Sequence, residues 1–353
     1  MESERDEQLP TGDEARAVLA SLDPAAHYRS VAELARADDG SILGTMPYTA
    51  EISYHSPRCV SVEPEPAGRE DISLFGRAAY RDFDEVLVAA FSDPAVAPLL
   101  DHLYHHLILE NRNIALVTNH GQIIDIALVM GALAIALSDP HRSFGVLGEH
   151  STLEEIADRS NVLVSRMVTS RQAFGLPAIA VMQHFCRTFL SIPQTNSRRR
   201  SRLTSEVVRA NNVVMREELG ARLERGGQLL AMAASGSQDL RLAANLVQRV
   251  RTTWRQRRGE DPGPAPSLHL QPLYRGTISL MLEARDVLPL AISLESAHPA
   301  CVIGGVTRVR TAEDCHEVME WIAHAHEQAT GVNTVYHHHE DPLLEQVRSV
   351  LRS

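Results

Sequence analysis

The spacing of apolar positions changes once along the chain. Up to about residue 108 helical spacing prevails, over residues 13–22, 27–37, 82–92 and 94–111, broken by the turn signal Asp23-Pro24 and an irregular stretch at 43–70. Asp93 before Pro94 predicts an acidic cap and a proline in the first helical position. Beyond residue 108, short apolar runs alternate with helical patterns. Strands are predicted at 114–118, 162–164, 189–192, 228–233, 287–293 and 302–309, and helices at 122–137, 174–185, 205–225, 239–257, 274–284, 312–330 and 342–351. A Pro-rich loop is read at 259–267, and no internal repeat is present. Such alternation predicts an α/β fold, a mixed sheet flanked by helices over 109–353, preceded by a mainly helical N-terminal region over 1–108 that packs against it or lids it.

Composition narrows the chemistry. A net charge of −11 over 353 residues gives no global basic field for nucleic acid. All 34 basic side chains are Arg, which removes Schiff-base and lysine-nucleophile chemistry. Cys59, Cys186, Cys301 and Cys315 are far apart without a Cys-x-x-Cys pair, as expected of structural thiols in a reducing compartment. The start, MESERDEQLPTGDE, is acidic and polar, unlike a signal or transit peptide, and the longest apolar run, 126–137, is too short for a membrane span. A cytoplasmic protein is expected.

The stretch 113–134 carries the leading candidate site. A β-branched apolar run ends at Asn119-His120-Gly121-Gln122-Ile123-Ile124-Asp125, and a helix pattern follows. A base and a carboxylate thus stand at the carboxyl end of a strand, where open α/β sheets place their sites. His120 is suited to general-base work near neutral pH, with Asp125 to orient its ring and stabilise the imidazolium. With 17 His, this spacing arises by chance about once in such a chain. The strand, turn and helix context is what singles it out.

Other stretches supply candidate binding groups. Arg198, Arg199 and Arg200 follow a predicted strand and suit a phosphate or carboxylate, as well as a solvated loop. Ser235, Gly236, Ser237 and Gln238 lie between a predicted strand and a predicted helix start, where backbone N–H groups can meet an anion, or simply turn the chain. Pro289 inside 286–293 predicts an edge strand or a bend. Arg249, Arg251 and Arg255, with Trp254 among them, can meet an acidic carrier protein or tRNA phosphates, or form an exposed helix face. His102, His105 and His106 share a helix, but acids at productive spacing are scarce, so solvated or partly buried histidines are expected. Consecutive His337, His338 and His339 cannot all face one ion, and Asp341-Pro342 reads as a helix cap. No metal site is expected.

The order of four of these blocks resembles the glycerophospholipid acyltransferase superfamily, within it the soluble, plastid-type glycerol-3-phosphate acyltransferases, over about residues 80–310. Asn119, His120 and Asp125 stand where that family has Asn-His-x-x-x-x-Asp. The turn at Arg198–Arg200 resembles its second block. Residues 223–239 resemble its third, which ends in Ala-Pro-Ser-Gly-Gly-Arg-Asp-Arg, and 287–292 its fourth, of Phe-Pro-Leu-Ala type. The resemblance implies acyl transfer from an acyl carrier protein or coenzyme A thioester, with His120 as base and Asp125 as its orienter. Asn119 and the residues of blocks two and three would bind substrate. No bound cofactor is needed, and without a nucleophilic Ser or Cys motif direct transfer is expected.

Departures from the family pattern bear on the acceptor. Where the third block has phosphate-holding arginines, this chain has Gln238 and Leu240, and Ala234 replaces its proline. A neutral amide and an aliphatic chain cannot hold a dianion as two guanidinium groups do. The expected acceptor is therefore a hydroxyl or amine of a small molecule other than glycerol 3-phosphate, in specialised or secondary metabolism. Two alternatives stay open: an aminoacyltransferase with aminoacyl-tRNA as donor, and a non-catalytic binding module of the same fold.

Overall fold

The computed structural model describes residues 10–20, 90–91, 93–120, 125–138, 151–164, 188–191, 205–235, 239–242, 258, 267–293, 300–339 and 342–352. Seven strands form the main sheet: β1 (Ile114–Thr118), β2 (Ser160–Val164), β3 (Thr188–Ser191), β4 (Leu229–Ala233), β7 (Asp286–Ser293), β8 (Ala300–Ile303) and β9 (Thr307–Arg308). Their order is β3-β2-β4-β1-β7-β8, with β9 also on β7. The first five run parallel, while β8 and β9 are antiparallel to β7. This is the mixed sheet flanked by helices that the periodicity predicts.

Central strands buried on both faces read as continuous apolar runs, which is why Ile-Ala-Leu-Val-Thr forms β1 and is buried throughout. Its side chains divide between two cores. Ile114 and Leu116 join Leu229, Ala231, Leu288 and Leu290 under α2 (Ala97–Tyr104), α3 (Asp125–Ser138) and α4 (Leu153–Arg159). Ala115 and Val117 join Leu230, Met232, Val287 and Ala291 under α5 (Ser205–Arg225), α6 (Arg275–Ala284) and α7 (Ala312–Thr330). Near the chain start, α1 (Gly12–Ala20) lies on α5, with Ala15 fully buried and Arg16 paired to Glu217 at 2.8 Å. The last helix, α8, spans Pro342–Arg352.

Several boundaries differ from the sequence expectation. Asp93 does not cap a helix at Pro94: its Oδ1 accepts the Ala95 N–H at 2.8 Å and closes a turn, and α2 begins only at Ala97. After Tyr104 the helix widens into a π turn, His105–Leu109. Residues 239–257 do not open as a helix. Leu240–Leu242 alternates apolar, polar, apolar and forms β5, antiparallel to β6 (Ser267–Leu270), which β10 (Asn333–Tyr336) joins in parallel. Consequently the turn at Ser235 leads into a strand and offers no helix N-terminus to an anion.

Pro289 is not at an edge. It lies mid-strand in β7, in register with Val117 of β1, and the disturbance falls on the other neighbour. The strand predicted over 302–309 divides into β8 and β9, and between them the Gly304 N–H donates to the Pro289 carbonyl at 2.9 Å. A Cβ on Gly304 would meet Pro289 Cγ at 2.7 Å and the Trp321 ring at 2.8 Å. Gly304→Ala should therefore cost about 1–3 kcal/mol in denaturant unfolding, as overpacking does. Gly305→Ala, with nothing within 4 Å of the new methyl group, should be close to neutral.

Candidate functional site

Adjacent strands β1 and β4 send their chains to opposite faces of the sheet. β1 leads to α3 on one core, whereas β4 leads by way of β5 and β6 to α6 on the other. Divergence of this kind opens a crevice at the carboxyl ends of the strands, the switch point of an open α/β sheet. His120 stands there, two residues beyond the end of β1.

Its position is fixed by the polar groups of a chain leaving a buried strand, which must find partners away from water. The Thr118 carbonyl accepts the Ala234 N–H at 3.0 Å, joining the exits of β1 and β4. Asn119, only 2% exposed, lays its side-chain amide along β7: Nδ2 donates to the Ile292 carbonyl at 2.9 Å and Oδ1 accepts the Ile292 N–H at 2.8 Å. His120 is bound by both backbone groups to Asp239. Its N–H donates to Asp239 Oδ2 at 2.6 Å, and its carbonyl accepts the Asp239 N–H at 2.8 Å. Asp239 Oδ1 also accepts the Gln271 N–H at 3.4 Å, which brings the start of the α6 segment to the same carboxylate.

Of the residues expected here, the structure brings Asn119, His120 and Ser235 together at the exits of β1 and β4; Ser235 is buried. Asp125 is the first residue of α3, so the carboxylate begins the helix that follows the base. Its side chain, residues 121–124, Arg198–Arg200, Gly236–Gln238, Arg249, Arg251 and Arg255 lie outside the described residues. Leu240 is half-buried in β5, opposite His269. The residue that sequence reasoning missed is Asp239. Its signal was an acid directly after the small-residue turn, read there as the start of a helix.

Behind β5 lies a buried polar row. Ser267 Oγ is 3.0 Å from His269 Nε2, and His269 Nδ1 is 2.9 Å from His337 Nε2, with the two imidazoles stacked. His337 is thus an interior residue, while His338 turns to Glu320 at 2.8 Å. As expected of neighbours in a run, the two point to different partners. Burial pushes the Cys301 thiol up to about 12 and the Cys315 thiol up to about 11, so neither is a nucleophile at neutral pH. Cys59 and Cys186 lie outside the described residues. The expectation that acids are scarce around the α2 histidines is corrected: Glu110 lies 2.6 Å from His106 and 3.3 Å from His105.

No protein-family model matches the chain, and no curated protein matches it.

Asn119→Ala would orphan the N–H and the carbonyl of Ile292, each worth about 1–3 kcal/mol when buried and unpaired. Asp239→Ala, which takes the carboxylate acceptor from the N–H groups of both His120 and Gln271, should also lower stability, and denaturant unfolding of the two variants checks both effects.

Proposed function

We propose that the chain is an acyltransferase that moves an activated acyl group from a carrier thioester to a hydroxyl or amine of a small acceptor. The observation that carries this reading is the place of His120, at the switch point, held by both backbone groups on Asp239. No helix among the described residues is long and apolar enough to cross a membrane.

In the proposed reaction His120 takes the proton of the acceptor hydroxyl as its oxygen attacks the acyl carbonyl. Asp125, opening α3 five residues on, orients the imidazole and stabilises the imidazolium. Charge on the carbonyl oxygen meets backbone N–H groups near His120 or in the turn at Ser235 and Gly236. Collapse of the tetrahedral intermediate re-forms the carbonyl and expels the carrier thiolate, which recovers the proton from His120. Neither an electron carrier nor a Lewis acid is required by these steps.

The carrier is an acyl carrier protein or coenzyme A, met by Arg249, Arg251 and Arg255, and the arginines at 198–200 hold acidic groups of donor or acceptor. With Gln238 and an aliphatic Leu240 in the third block, the acceptor is not glycerol 3-phosphate. A specialised small molecule without a phosphate needs no such arginines.

Because the contacts of His120 to Asp239 are made by its backbone, His120→Ala should keep the fold. Thioester consumption and product formation, followed by mass spectrometry with acyl carrier protein and coenzyme A donors, should fall about 10²–10⁴-fold in that variant. Asp125→Asn should also be slow. Undiminished turnover in His120→Ala would sink the mechanism. Failure of the wild type to consume any thioester, with RNA-dependent aminoacyl transfer instead, would favour the tRNA donor.

A further inference from the structure

We propose that the π turn at the end of α2 is a binding site for a divalent transition metal of the zinc class, with His105 Nδ1, His106 Nδ1 and the Glu110 carboxylate as ligands. In the π turn the Glu110 N–H donates to the His105 carbonyl at 2.9 Å, one residue farther back than in an α-helix. The extra residue sets Glu110 astride two successive imidazoles. Oε1 faces His105 Nδ1 at 3.3 Å and Oε2 faces His106 Nδ1 at 2.6 Å. All three ligand atoms lie within 4.8 Å of one another. Ligands on one tetrahedral zinc stand about 3.3 Å apart, so small rotations of partly exposed side chains suffice.

The far side of the His106 ring is arranged as metal-bound imidazoles require. Nε2 lies 2.7 Å from His102 Nε2, one helical turn back. When His106 donates its N–H to His102, its Nδ1 lone pair is directed at the Glu110 carboxylate, and that pairing is favourable only with a cation between them. At present the cation is Arg112, whose Nη1 is 2.9 Å from His106 Nδ1 and 3.2 Å from Glu110 Oε2. Arg112 has a second anchor, the buried Asp286 carboxylate at 2.5 Å from Nη2. It can release Nη1 to a metal without abandoning its ion pair. Two imidazoles and one carboxylate form an N₂O set suited to zinc, and the exposure of His105 (54%) and Glu110 (39%) gives water and metal a path in.

The ligands precede the amino end of β1 and His120 follows its carboxyl end, so the five-residue strand, about 16 Å long, stands between them in the chain. All three ligands belong to the turn that ends α2, so its role is to brace that turn, separate from the proposed chemistry. Titrating the full chain, stripped with chelator, with zinc in a calorimeter should show one site of micromolar affinity. Cobalt(II) absorption should report the same stoichiometry. His105→Ala and Glu110→Gln should each weaken binding at least about tenfold, and His102→Gln about 10–100-fold. His120→Ala should leave it unchanged. No zinc bound below millimolar concentration would overturn the proposal, as would undiminished affinity in both His105→Ala and Glu110→Gln, since the metal would then sit on another histidine set.

Discussion

A buried strand that ends must hand its last polar groups to something other than water, and the carboxyl end of β1 shows how much follows from that constraint. Three successive residues solve it three ways. Thr118 uses its carbonyl on the neighbouring exit, Asn119 imitates a peptide group toward Ile292, and His120 takes a carboxylate from across the crevice. The three links tie β1 to β4, to β7 and to Asp239 at the start of β5. Together they fix the backbone of residues 118–120 against its three neighbours.

How much of this the sequence disclosed depends on the range of the forces involved. Elements set by local chemistry read cleanly. The helix at 312–330 is bounded by a Thr311–Asp314 capping box and by Gly331 at a φ of 67°, and 205–225 is framed with the same accuracy. β1 and β7 read as strands because burial on both faces leaves an unbroken apolar run. What escaped were pieces whose identity comes from a partner distant in sequence. β5, β6 and β10 are three or four residues each, with polar positions paired only in the folded sheet, as His269 is with Leu240. The cap of α4, by contrast, is local: the Thr152 side chain accepts the Glu155 N–H.

The site divides in the same way. His120 and its strand context were visible because motif and strand are contiguous. Asp239 lies 119 residues downstream, and only the adjacency of β1 and β4 brings it to the His120 N–H. Likewise the grouping of Glu110 with His105 and His106 depends on one extra residue in a helical turn. Spacing rules for regular helices pair i with i+3 or i+4, and His105 with Glu110 is a pair at i+5. His106 with Glu110 is an ordinary i, i+4 pair that spacing does show; it is the addition of His105 that takes the π turn.

The division of β8 from β9 has a bearing on solubility. These strands close one margin of the main sheet, where a long unpaired edge would invite pairing with another chain. Pro289 and Gly304 break that margin into pieces of four and two residues. The opposite margin, β3, is also only four residues long. Among the described residues neither offers a long run of aligned N–H and carbonyl groups of the kind that a growing fibril copies, so the residue that interrupts the ladder also shortens an edge.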